Sequence, residues 1–145
     1  MKNIITLTVL MATMSLGVFL SVTLADTPVK SQWDGVYTVA QAQRGASLYG
    51  EYCVICHGED LLGGEMAPPL IGGQFQSNWN EQSLGDLFER IRISMPLTAP
   101  GSLNRQQVAD VLSYLLSKDN YPAGRVELPT QSEALKDTKF LSTKP

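Results

Sequence analysis

The residues of this chain best placed to do chemistry are Cys53, Cys56 and His57, which lie within five positions. Written out as Cys53-Val54-Ile55-Cys56-His57, they make the C-x-x-C-H haem attachment signature. Two cysteines three apart project from one side of a helical turn, so their sulfurs reach both vinyl groups along one porphyrin edge and form thioethers. The next residue then turns its imidazole toward the iron from one face. A redox-active Cys53–Cys56 disulfide is a competing reading, but it normally sits in a strand-helix unit, and no strand alternation is present. His57 is the only histidine and these are the only two cysteines, so a zinc site lacks further ligands. The same scarcity argues against a four-cysteine iron–sulfur cluster and a serine hydrolase triad.

With His57 committed, the ligand on the opposite face cannot be a second histidine in a monomer. Of five methionines, Met1, Met11 and Met14 fall in the N-terminal segment, leaving Met66 and Met95. Met66 follows His57 by nine residues, and an extended segment of that length covers ~30 Å, so reach does not exclude it. Context favours Met95. It ends a helix whose apolar face can pack on the ring, and Pro96 sets an extended exit that turns the side chain inward.

The elements that must position these groups read as helices. Thr38 caps a helix running to Tyr52, with Val39, Ala42, Ala46, Tyr49 and Tyr52 at spacings of three and four. Gly45 inside it costs about 1 kcal/mol relative to Ala, which a close approach by another backbone would explain. From Gly58 to Gln76 the chain is rich in glycine and proline, and no regular element is expected. A second helix spans Leu84 to Ile93, capped by Ser83, with Leu84, Leu87, Phe88 and Ile91 on one face. The clearest helix follows Asn104, where Gln107 completes a capping arrangement and Val108, Val111, Leu112, Leu115 and Leu116 form a stripe. It should stop near Asn120, before Pro122. The segment after Pro122 reads as a surface wrap or a loose end.

Residues 1–25 read as an export signal, with one charge, Lys2, and an apolar run from Ile4 to Leu24. Thr23 and Ala25 suit cleavage before Asp26, leaving 120 residues, one domain's worth. The alternative is an uncleaved anchor, since residues 4–24 are long enough to span a bilayer, although six hydroxyl residues weaken it. In both cases the folded part lies outside the cytoplasmic membrane, in the periplasm. The net charge of −3, with no basic run, argues against nucleic acid as partner. Four acids and no base occur from Glu51 to Glu65, which predicts an acidic rim near the haem edge and partners with a basic docking face.

From about Val39 to Pro122 the sequence resembles the mono-haem class I c-type cytochromes. Gly45 and Tyr49, the Cys53–His57 motif, Pro68-Pro69-Leu70-Ile71-Gly72, Met95-Pro96 and the final amphipathic helix occur in that family's order. The resemblance implies an all-α cytochrome c fold, about three to five helices with long loops wrapped around one covalent haem. It implies that the Pro68 carbonyl accepts the His57 Nδ1 proton, and that Gly45 and Tyr49 mark a crossing of first and last helices against Leu112 and Leu115. It also suggests a Trp79 indole bonded to a haem propionate, with packing alone as the other reading. An exposed helix face is the expectation for Arg90 and Arg92.

Ala67-Pro68-Pro69-Leu70, Ser83-Leu84-Gly85-Asp86-Leu87-Phe88, Ser94-Met95-Pro96 and Tyr121-Pro122-Ala123-Gly124 look like the cytochrome domains or partners of periplasmic quinoprotein alcohol dehydrogenases. That likeness implies a dehydrogenase donor and an oxidase or another cytochrome as acceptor. A six-coordinate haem fits one-electron transfer, because it changes oxidation state with little rearrangement and offers no open site. The competing classes are a tightly bound haem subunit of a larger oxidoreductase and a haem protein that binds gas or peroxide when the methionine dissociates. No distal histidine or acid–base pair for peroxide chemistry is evident.

Overall fold

The computed structural model describes residues 30–145, so the apolar segment 4–24 and the expected cleavage site lie outside the described residues. Among these residues the architecture is all-α. Five helices, α1 (Val39–Tyr52), α2 (Val54–His57), α3 (Gly72–Trp79), α4 (Leu84–Ser94) and α5 (Arg105–Lys118), are joined by loops, with short 3-10 turns at Gln32–Asp34 and Ser132–Leu135.

The helix starts follow from local hydrogen bonding. The Thr38 hydroxyl accepts from the Gln41 N–H at 3.1 Å. Asn104 accepts from the Gln107 N–H at 3.0 Å, while its own N–H donates to the Gln107 side chain at 2.9 Å. Such reciprocal caps satisfy donors that the first turn leaves free. α4 runs one residue beyond the expected Ile93, and α5 closes at Lys118, with Asn120 beyond it in the left-handed region at φ 64°.

Gly45 explains how α1 and α5 cross. A Cβ built there would overlap the Asp110 carbonyl and stand 2.8 Å from the Tyr114 Cβ. The contact at the glycine is therefore Asp110 and Tyr114, four apart on one face of α5, and not Leu112 and Leu115, which are buried in the core. Above the crossing Arg44 makes a two-pronged pair with Asp110, both bonds at 2.9 Å, and a further contact with Glu127. The rings of Tyr49 and Tyr114 lie 5.3 Å apart beside it.

Two expectations change. The glycine- and proline-rich stretch does hold a regular element, because α3 starts at Gly72. Its cap is supplied from elsewhere: Ile71 has no capping side chain, and the Gly72 N–H donates instead to Asp119 at the end of α5 at 2.9 Å. The segment after Pro122 is no loose end. Leu128, Leu135 and Phe140 are buried in the same core as Leu84, Phe88 and Leu112.

Candidate functional site

Helix α1 delivers the motif. Its last turn ends on Cys53, whose N–H donates to the Tyr49 carbonyl at 2.9 Å, and the chain turns at once into the single turn of α2. The His57 N–H donates to the Cys53 carbonyl at 3.0 Å, so the histidine is fixed relative to the first cysteine. Tyr49 reaches along the same side, and its hydroxyl donates to the Gly58 carbonyl at 2.7 Å. Burial is the largest cause of a phenol pKa pushed well above its usual range. Both cysteines are free thiols and half-buried, whereas Ile55 between them faces solvent. Burial, and then the neighbouring Cys56, push the Cys53 thiol up to about 11.

His57 is buried, and its Nδ1 lies 2.9 Å from the Pro68 carbonyl oxygen. A carbonyl only accepts, so this contact requires the proton on Nδ1 and leaves the Nε2 lone pair free for a metal. The loop that brings Pro68 into place is built from backbone bonds: Gly63 N–H to the His57 carbonyl at 3.0 Å, Gly64 N–H to Ala67 at 2.9 Å, and Leu70 N–H to Leu61 at 2.8 Å. Gly63 has φ 73°, and a Cβ there would stand 2.6 Å from the Pro68 carbonyl carbon. Sequence reasoning missed Gly63, which lets the loop fold onto the histidine. It missed Asp119 as well, whose carboxylate holds Gly72 and, at 3.1 Å, the Gln76 side chain.

Met95 follows α4 in an extended conformation at φ −120°, ψ 149°, and is half-buried against the core, as Cys53, Val54, Leu70, Ile71 and Trp79 each are. Met66 is 77% exposed on the loop before Pro68. Trp79 closes α3, its ring 6.3 Å from that of Phe75. Arg92 pairs with Glu89 at 2.7 Å, and Arg90 is exposed, so neither departs from its expected place on a helix surface.

The donor set fits haem. Two half-buried thiols three residues apart would form the thioethers, and a histidine with one ring nitrogen engaged would offer the other to iron. An all-α scaffold carrying that set defines a c-type cytochrome, an electron-transfer protein with covalently bound haem c. The chain belongs to the family described as cytochrome c oxidase, cbb3-type, subunit III, whose pattern matches residues 40–115. It is also similar to the thiosulfate dehydrogenase of Stutzerimonas stutzeri (strain A1501), with 31% identity over 99 residues, covering 63% of this chain and 31% of that protein. The match thus spans about a third of the relative's length.

Proposed function

We propose that this chain is an exported one-electron carrier whose haem would be attached through Cys53 and Cys56 and ligated by His57 and Met95. The observation that carries the reading is the 2.9 Å contact between His57 Nδ1 and the Pro68 carbonyl, which orients the imidazole and sets its tautomer. When bound, the haem supplies exchange of a single electron between ferrous and ferric states. Met95 offers a soft thioether that favours the ferrous form. Val54, Leu70 and Ile71, partly buried against the core, would offer apolar surface that keeps water from the ring. The Trp79 indole would donate to a haem propionate. Residues 26–145 form the cytochrome domain, with an extension from about 122, and residues 1–25 direct export to the periplasm or anchor the protein there. Among the described residues no helix is long and apolar enough to cross a membrane.

The electron comes from a dehydrogenase and passes towards a terminal oxidase, a direction in keeping with the oxidase subunit that names the matching family. Short motifs favour a quinoprotein alcohol dehydrogenase as donor. The relative named thiosulfate dehydrogenase favours a second reading, in which thiosulfate oxidation supplies the electron. A stable haem subunit of a larger oxidoreductase remains the alternative assembly. Docking falls on the loop after the motif, where Leu62 and Met66 are exposed among Glu59, Asp60 and Glu65. Apolar tips ringed by acids suit a partner with a basic rim. Mixing the oxidised holoprotein with each purified dehydrogenase and its substrate tests the donor. Reduction within the enzyme's turnover time identifies the pair, and no reduction by either overturns both.

A further inference from the structure

The chain beyond Tyr121 is gripped by two fully buried glutamines. Gln41 donates to the Leu128 carbonyl at 3.1 Å and accepts from the Leu128 N–H at 2.7 Å. Gln32 does the same at Leu141, at 2.6 and 2.9 Å. Each side-chain amide thereby pairs with one residue's backbone as a neighbouring strand would, and losing either grip leaves buried polar groups unpaired.

Between these grips the chain is laid against the end of α3, the turn after it and the start of α4. The Thr138 carbonyl accepts from the Leu84 N–H at 2.8 Å, the first donor of α4. At Gly85 the approach is so close that a Cβ would stand 2.6 Å from the Ser132 carbonyl oxygen. Phe140 brackets the intervening turn: its N–H donates to Gln82 at 2.8 Å and its carbonyl accepts from Glu81 at 2.7 Å. The Ser142 N–H donates to the Asn80 side chain at 2.9 Å. The Phe140 ring is fully buried and meets Phe75 edge-on at 5.8 Å, and Phe75 in turn contacts Trp79. Trp79 opens the bracketed turn, and α4 leads from it to Met95.

We propose that residues 132–142 act as a strap that positions the haem crevice, with Phe140 as its positioning residue. The inference rests on the assignment of Trp79 and Met95 to the haem. Glu81 stands at φ 65° in the short turn between α3 and α4, where the Gln82 N–H donates to the Trp79 carbonyl at 3.0 Å and the strap adds the two bonds at Phe140. A fixed turn keeps water from the Trp79 end of the ring and holds α4 at the angle that presents Met95. Loosening it admits water, which favours the more highly charged ferric state and lowers the reduction potential.

The test compares two holoprotein variants, Phe140→Ala and Leu128→Ala. Leu128 is equally buried but contacts Gln41 of α1 and lies outside the strap. For F140A we expect a lower potential and about tenfold tighter binding of imidazole to the ferric protein, as a tenfold rise in the open population gives. F140L should recover most of both. L128A should lose thermal stability and move neither. The proposal is overturned when F140A leaves both readouts unchanged, or when L128A moves them as far. Should F140A fail to take up haem, F140V against L128V is read by the same criteria. The Met95 assignment is checked apart, by the sulfur-to-iron charge-transfer band of the unmutated oxidised protein. Its absence removes Met95 while the potential still reports on the turn beside Trp79.

Discussion

Gly45 lies against the Asp110 carbonyl so closely that no side chain fits between α1 and α5 at their crossing. The helix ending in Cys53 is thereby keyed to the helix ending beside Asp119, and Asp119 in turn holds the start of α3. Gly45→Ala must push the two backbones apart, at a cost of about 3 kcal/mol by the usual penalty for overpacking. Urea unfolding of the holoprotein should report that loss, and an unchanged midpoint would refute the crossing as described.

Met95→Ala should abolish the low-spin spectrum of a histidine–methionine haem and lower the potential, because the thioether is the softer ligand. Met66→Ala should change neither, since that side chain is largely in solvent. Optical spectra of both oxidation states decide between them, and a reversed pattern reassigns the ligand.

Gly63→Ala puts a Cβ against the Pro68 carbonyl carbon, at a backbone angle that only glycine adopts freely. The Pro68 carbonyl is then displaced from His57. Losing that acceptor makes the imidazole a weaker donor and raises the potential, opposite in sign to the Met95 variant. Redox titration of the two variants side by side checks the signs.

Asp86 supplies a pH dependence. The Ser83 hydroxyl donates to its carboxylate at 2.6 Å and the Ser83 N–H at 3.2 Å, which holds the acid below its ordinary range. A depressed carboxyl stabilises the fold above its unfolded pKa and loses that contribution as pH falls through the folded one. Ser83→Ala should cost about 1 kcal/mol at neutral pH, the usual worth of such a cap. Part of the difference from the parent protein should vanish below about pH 4, where an ordinary aspartate is protonated. Denaturant curves at pH 7 and pH 3 measure it.

The acidic loop predicts a salt effect. Replacing Glu59, Asp60 and Glu65 with their amides should slow reduction by a basic partner at low ionic strength and leave the rate at high salt unaltered. Stopped-flow rates across a salt series test this, and a parent rate insensitive to salt would end the steering idea.

What could be read from the sequence was what is local. The caps at Thr38 and Asn104 lie within three residues of their partners, as do the two cysteines of the motif. Gly45 announced a close approach, but nothing in its own helix says that Asp110 and Tyr114 answer it. Helix α3 was hidden because the acid that caps it stands 47 positions away. Leu128, Leu135 and Phe140 follow no helical or strand period, so their burial comes from contacts that only the folded chain assembles.

The two glutamine grips join residues 87 and 109 positions apart. Contacts of such sequence separation form late, because the entropy of closing the loop is lost before any bond is gained. By that measure assembly runs from the motif loop to the keyed helices and ends with the two grips, so the molecule stays open at the Trp79 side until Leu128 and Leu141 are held.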